Sequence, residues 1–147
     1  AALRAAVSEM DEDEVPQTER YLFITPTLLG MVQDMDTTKS REVLQNFAGT
    51  VKVPQTRFYT AIEQNDGTSS GEEAGGYKKG TGAANINFMI IHKAAVIQFQ
   101  KHVAPKIISP EQNQTADAYK FGYRNVGIAD VYENKVAGIY LHHQAAG

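Results

Sequence analysis

The amino-acid sequence predicts an α+β chain, a mixed central sheet flanked by short helices, on three observations. Tyr21-Leu22-Phe23-Ile24 is apolar on both strand faces, as in a central covered strand, and runs straight into Thr25-Pro26, an N-cap followed by a first-turn proline. A strand feeding directly into a helix is the signature of layered sheet and helix. Ile86-Asn87-Phe88-Met89-Ile90-Ile91 reads as a second covered strand. Finally, Ile128-Ala129-Asp130-Val131-Tyr132 and Val136-Ala137-Gly138-Ile139-Tyr140-Leu141-His142 flank Glu133-Asn134-Lys135 in the manner of a C-terminal β-hairpin.

The remaining elements follow in chain order. Leu3, Val7 and Met10 share one helical stripe in an Ala-rich segment with no capping residue before it, so residues 1–10 read as the last turns of a longer helix. Four carboxylates at residues 11–14 and Pro16 should end it between Met10 and Glu14. After Pro26, Leu28, Leu29, Val32 and Met35 mark the buried stripe of a short helix. Val43, Leu44 and Phe47 suggest another, closed by Gly49. Val51 and Val53 alternate with polar neighbours up to Pro54, and residues 57–62 look extended, with an edge position at the proline. Residues 64–85 hold six of the 12 glycines and one large apolar side chain, Tyr77, so they are expected to form a long flexible loop without regular structure. His92 is expected to open a helix with Val96, Phe99 and Val103 on one face and His102 in its last turn. Pro105 and Pro110 then bracket residues 106–109, and residues 116–123 read as a short helical or irregular piece.

Composition narrows the function classes. A chain of 147 residues with no Cys fits one globular domain whose core needs no staple, and it rules out disulfides, thiolate metal sites and cysteine nucleophiles. Its apolar runs are far shorter than a membrane helix, and residues 1–10 do not resemble a secretory leader. A net charge of −3 argues against a dedicated nucleic-acid binder. The charge is also polarised: residues 1–77 hold six Lys/Arg against 13 Asp/Glu, and residues 78–147 hold eight against four. Oppositely charged patches of this kind can join copies of one protein head to tail.

No catalytic, metal or cofactor motif holds in its sequence context. Gly67-Thr68-Ser69-Ser70-Gly71 fits a nucleophile elbow, with Asp117 or Asp130 and then His142 in the order of α/β hydrolases, but an elbow needs a buried strand before the serine and a helix after it. Polar residues 63–66 and the glycine-rich residues 71–76 occupy those places instead. Gly75 and Gly80 have Walker A spacing with Thr81 where the lysine belongs, and Gly80-Thr81-Gly82 runs into a strand. Asp11-Glu12-Asp13-Glu14 starts like a calcium loop but meets Val15 and Pro16 where a ligand and the turning glycine should stand. His142 and His143 point to opposite faces of a strand and cannot converge on one ion. Asn113-Gln114-Thr115 is a glycosylation sequon, and the tyrosines are too scattered for a base-stacking platform.

Tyr21-Leu22-Phe23-Ile24-Thr25-Pro26, Val53-Pro54-Gln55-Thr56-Arg57-Phe58-Tyr59-Thr60-Ala61-Ile62, Ile86-Asn87-Phe88-Met89-Ile90-Ile91-His92-Lys93-Ala94-Ala95-Val96-Ile97 and Tyr132-Glu133-Asn134-Lys135-Val136-Ala137-Gly138-Ile139-Tyr140 are four strings in one order. Together they resemble the major capsid proteins of tailed bacteriophages, the Hong Kong 97-type fold. The resemblance implies a single capsid core. In it residues 1–15 are the end of a spine helix, 16–135 mostly the axial domain with flexible loop 64–85, and 136–147 a returning strand and tail. The family's N-terminal arm and extended loop are not represented.

The same resemblance implies a non-enzymatic, self-assembling coat subunit without cofactor or metal. Its partners would be copies of itself in pentamers and hexamers, scaffolding or portal proteins, and DNA through weak non-specific contact. Its place would be the virion of a phage or prophage, built in the bacterial cytoplasm, with no membrane. Asp66, Gly67, Glu72, Glu73, Tyr77, Lys78 and Lys79 in the loop are the candidate subunit contacts. Two alternatives stand beside this reading: a phage-related adaptor or binding module that forms no shell, and a serine hydrolase using Ser69 and His142.

Overall fold

The computed structural model describes residues 1–35 and 38–144, with the backbone alone for 38–41. The chain is mixed α and β and divides into two compact units, residues 1–95 with 134–147 and residues 96–133.

The first unit is built on a four-stranded mixed sheet. Helix α1 (Ala2–Glu12) precedes β1 (Arg20–Ile24), which leads into α2 (Pro26–Asp34) and α3 (Thr38–Gln45) before β2 (Gly49–Lys52). A small ribbon follows, β3 (Ile62–Gln64) paired antiparallel with β4 (Tyr77–Lys79). Then come β5 (Ile86–His92) and, after the second unit, β8 (Ile139–His143). The sheet order is β2-β1-β5-β8, with β1 and β2 parallel and the other pairs antiparallel.

β1 is central, as its apolar run requires. Its Arg20, Leu22 and Ile24 are buried opposite His92, Ile90 and Phe88 of β5, so the two strands turn the same face inward. The opposite face, with Tyr21, Phe23, Met89 and Ile91, is half-buried. Against the inner face pack Ala6 and Met10 of α1, Leu29 of α2 and Phe47, joined by Leu3, Val7, Val15, Leu28, Val43, Leu44 and Tyr140. Met35 of the expected α2 stripe is exposed and lies just past the helix end.

α1 ends where the carboxylate run and Pro16 predict, and the geometry shows how. Glu14 adopts a left-handed φ of 57°, its N–H donates to Asp11 O, and Val15 N–H donates to Met10 O, which is a Schellman turn with Val15 packed on the core. Arg20 closes the turn. Its buried guanidinium donates to the carbonyls of Val15 and Pro16 and pairs with Asp11 at 2.7 Å. It thereby neutralises one of the carboxylates that the helix C-terminus disfavours.

Several expected elements are replaced. Gly49 opens β2 and does not close α3, because Ala48 N–H already donates to Arg20 O and draws the chain into the sheet. Residues 57–62 do not form one strand: a 3₁₀ turn spans Gln55–Arg57, the bridge Tyr59 to Asn85 follows, and of the expected stretch Ile62 opens β3. The stretch expected to be a helix after His92 is a 3₁₀ turn, Lys93–Ala95, and then the long strand β6 (Val96–Ile108). Of residues 116–123, read as helical or irregular, 120–123 are the first residues of strand β7 (Lys120–Val131). The C-terminal hairpin does not form either. Residues 128–131 belong to β7 and pair with β6, Glu133–Gly138 is a 3₁₀ segment, and β8 pairs with β5. Residues 145–147 of the expected tail lie outside the described residues.

The second unit is the β6–β7 hairpin. Twelve residue pairs run from Val96↔Val131 to Ile108↔Lys120, interrupted by one bulge that leaves Lys101 unpaired.

Candidate subunit-contact site

The loop singled out from the sequence is tied to itself. Residues 77–79 form β4, and Asn65 closes the ribbon's turn by donating from N–H to Gly76 O and from Nδ2 to Gly75 O. Inside the turn, the Asp66 carboxylate accepts from the Ser69 hydroxyl and from the N–H groups of Ser69 and Thr68. These bonds hold its pKa far below the ordinary carboxylate range. Glu72 accepts from Lys78 at 2.6 Å and from Asp66 N–H, which lowers the Glu72 pKa and raises that of Lys78. Glu63 accepts from the N–H and hydroxyl of Thr81 and is lowered in turn. Glu73 accepts from Gly71 N–H, and Lys79 Nζ lies 5.8 Å from the centre of the Tyr59 ring. Gly67, Gly71, Gly75, Gly76 and Gly82 all have positive φ, the conformation such tight turns need.

The expectation of a loop without regular structure is therefore corrected. Short side chains and glycines cannot bury a core, but they can satisfy backbone donors with carboxylates, and that is what orders this segment. Of the seven candidate contacts, Asp66, Glu72 and Lys78 form one network, Glu73 bonds locally, Lys79 lies over the Tyr59 ring, Gly67 supplies a turn, and Tyr77 stands half-exposed in β4.

The hydrolase arrangement is not assembled. The Ser69 hydroxyl donates to Asp66 within a turn, and His142, on β8, bonds Asn87 at 3.0 Å and stacks on Phe88 with ring centres 4.8 Å apart. Asp130 accepts from Val131 N–H in β7. His92 ends β5 and His102 sits in β6, so neither has the helical position expected of it. Among the described residues no three His, Asp or Glu side chains are grouped to hold a metal.

Sequence reasoning passed over the most exposed apolar surface of the chain. Every residue of β7 is exposed, and so are all but Ala104 and Ile108 of β6. Opposed residues of an antiparallel pair share a face, so the register sorts the side chains. Beyond the bulge, Val103, Pro105, Ile107, Phe121 and Tyr123 share one face, with Phe121 74% and Tyr123 70% exposed. Lys106, Lys120 and Arg124 share the other. On the near side of the bulge the large apolar groups change sides: Phe99, 62% exposed, and Ile128, 65% exposed, lie on the face that bears the three cations farther along. Tyr119 stacks near Phe121 at the hairpin's end, with ring centres 6.3 Å apart.

A two-stranded hairpin is marginal in water by itself, and contiguous exposed apolar side chains of this size mark interaction surfaces. The signal was present in the sequence. Two apolar runs flank Pro110, Asn113 and Asp117, which is the pattern of a hairpin with a long connection. Compared with known proteins, the chain matches no family model, no curated protein and no solved structure.

Proposed function

We propose that this chain is a structural subunit whose work is to join copies of itself, and specifically a major capsid subunit of a tailed bacteriophage or prophage with a Hong Kong 97-type fold. The observation that carries the reading is the β6–β7 hairpin, which presents large apolar side chains on both faces and has no core of its own. About 12 residues at about 3.3 Å each give a ribbon about 40 Å long and about 10 Å wide, so covering one face buries about 800 Å² in total. That is below the roughly 1,200 Å² of a stable pairwise complex, and it fits a contact that holds only when repeated many times around a closed assembly.

The sequence resemblance supplies the rest of the reading. Residues 16–135 would be mostly axial domain and α1 the end of a spine helix. Scaffolding or portal proteins would be further partners, packaged DNA would be touched weakly and non-specifically, and assembly would occur in the bacterial cytoplasm before residence in the virion. No catalysis is part of this role. Negative-stain electron microscopy of the purified chain at rising concentration tests it: rings or curved lattices of repeated subunits are expected, and a population of isolated particles at every concentration contradicts it.

A further inference from the structure

Taking self-association as the premise, we infer that the cationic face of the β6–β7 hairpin docks on the acidic end of α1 in a second copy of the chain. Lys106, Lys120 and Arg124 lie on one face of the hairpin, all exposed, and no salt bridge engages them among the described residues. From Lys120 to Arg124 the strand advances about 13 Å. The complement lies in the first unit. Glu9, Glu12, Asp13 and Glu14 are all exposed around the last turn of α1, and among the described residues the only salt bridge to the carboxylates there is that of Asp11 with Arg20. From Glu9 to Glu12 the helix advances about 4.5 Å, and Asp13 and Glu14 follow in the turn that closes it.

The unneutralised carboxylates also sit at the negative end of the helix dipole, where a cation from outside is favoured. Contact between unlike surfaces is heterologous, so each copy offers a hairpin to one neighbour and an α1 end to the next. That is the connectivity which builds rings and lattices instead of closed pairs. The apolar face with Phe121 and Tyr123 is turned away from this contact and remains for another neighbour. Duplex DNA suits the cationic face less well. Three charges release too few counterions for firm binding, and the chain as a whole is net negative.

Charge reversal in full chains tests the pairing. One variant carries Lys106→Glu, Lys120→Glu and Arg124→Glu; the other carries Glu9→Lys, Glu12→Lys and Asp13→Lys, which turns the four exposed carboxylates of the α1 end into three cations and one carboxylate. Circular dichroism confirms that each is folded, and association is read by light scattering in low salt. Each variant alone should associate about 100-fold more weakly than the parent, because like charges now meet. Their equimolar mixture should regain the parent's association, since the reversed hairpin of the first meets the reversed helix end of the second. If the single variants associate as the parent does, or the mixture regains nothing, the pairing is overturned while self-association stands. A hairpin variant that loses only binding to a duplex oligonucleotide overturns it in favour of DNA. A parent that does not associate at all removes the premise itself.

Discussion

Glu14 shows how a single residue can stop a helix at a cost. The Schellman turn after α1 needs a left-handed residue between Asp13 and Val15, and a glutamate held there is strained by about 1 kcal/mol relative to glycine. Glu14→Gly should therefore stabilise the fold by about 0.5 to 1 kcal/mol in urea denaturation, and a loss of stability would show that the Glu14 side chain contributes something the turn does not. The carboxylates of the 63–81 segment make a second prediction at this scale. Asp66, Glu63 and Glu72 all have pKa values lowered in the fold, so their contribution is complete above the ordinary carboxylate value of about 4 and is lost as pH falls through the lower folded values. Lys78 is raised, so its share is present below its ordinary value of about 10.5 and lost as pH climbs past the folded one. Amide exchange at Thr68, Ser69 and Thr81 should thus stay slow at neutral pH. Once corrected for intrinsic rates, it should accelerate below about pH 4, and protection that is flat down to pH 2 would contradict the hydrogen-bond network.

At the scale of elements, burial decides what the sequence reveals. β1 and β5 were legible because a strand buried against helices must be apolar along its inner face, and residues 20–24 and 86–92 carry that imprint. β6 was mistaken for a helix for a definite reason. Val96, Phe99 and Val103 stand at spacings of three and four, as on a helix, because both faces of the ladder carry apolar groups: Phe99 lies on one, and Val96 and Val103 lie on the other, where the extra residue Lys101 brings them into phase. Its partner was misassigned because proximity along the chain favoured residues 136–142, whereas the ladder reaches back to residues 96–108. Of the candidate site, the loop was found and its order was missed, since that order rests on carboxylates bonding backbone donors and leaves no hydrophobic pattern. Gly127 tests the bulge. A Cβ there would lie 3.0 Å from Phe99 O, whereas at Gly122 the nearest atoms are 3.8 Å away. Gly127→Ala should loosen the ladder, seen as faster amide exchange at residues 98–102 and 125–129, while Gly122→Ala should leave it intact. Equal exchange in the two variants would argue against the close approach at the bulge.

The whole chain combines a first unit with a well-packed core and a second with almost none. Hydrophobic burial is the main favourable term in folding and association alike, so the apolar side chains of the hairpin supply a driving force for contact with other molecules. Each large side chain covered contributes about 1.5 to 3 kcal/mol before the costs of association are subtracted, which leaves a single contact weak and a multiple one strong. In the proposed assembly the polarised charge read from the sequence would give that contact a direction. Sedimentation velocity across a wide concentration range, comparing the chain with its Phe121→Ser, Tyr123→Ser double variant, tests this most directly. The parent's weight-average sedimentation coefficient should rise steadily with concentration and the variant's should rise far less. A parent that sediments as one unchanging species, or a variant that associates equally well, would contradict the account.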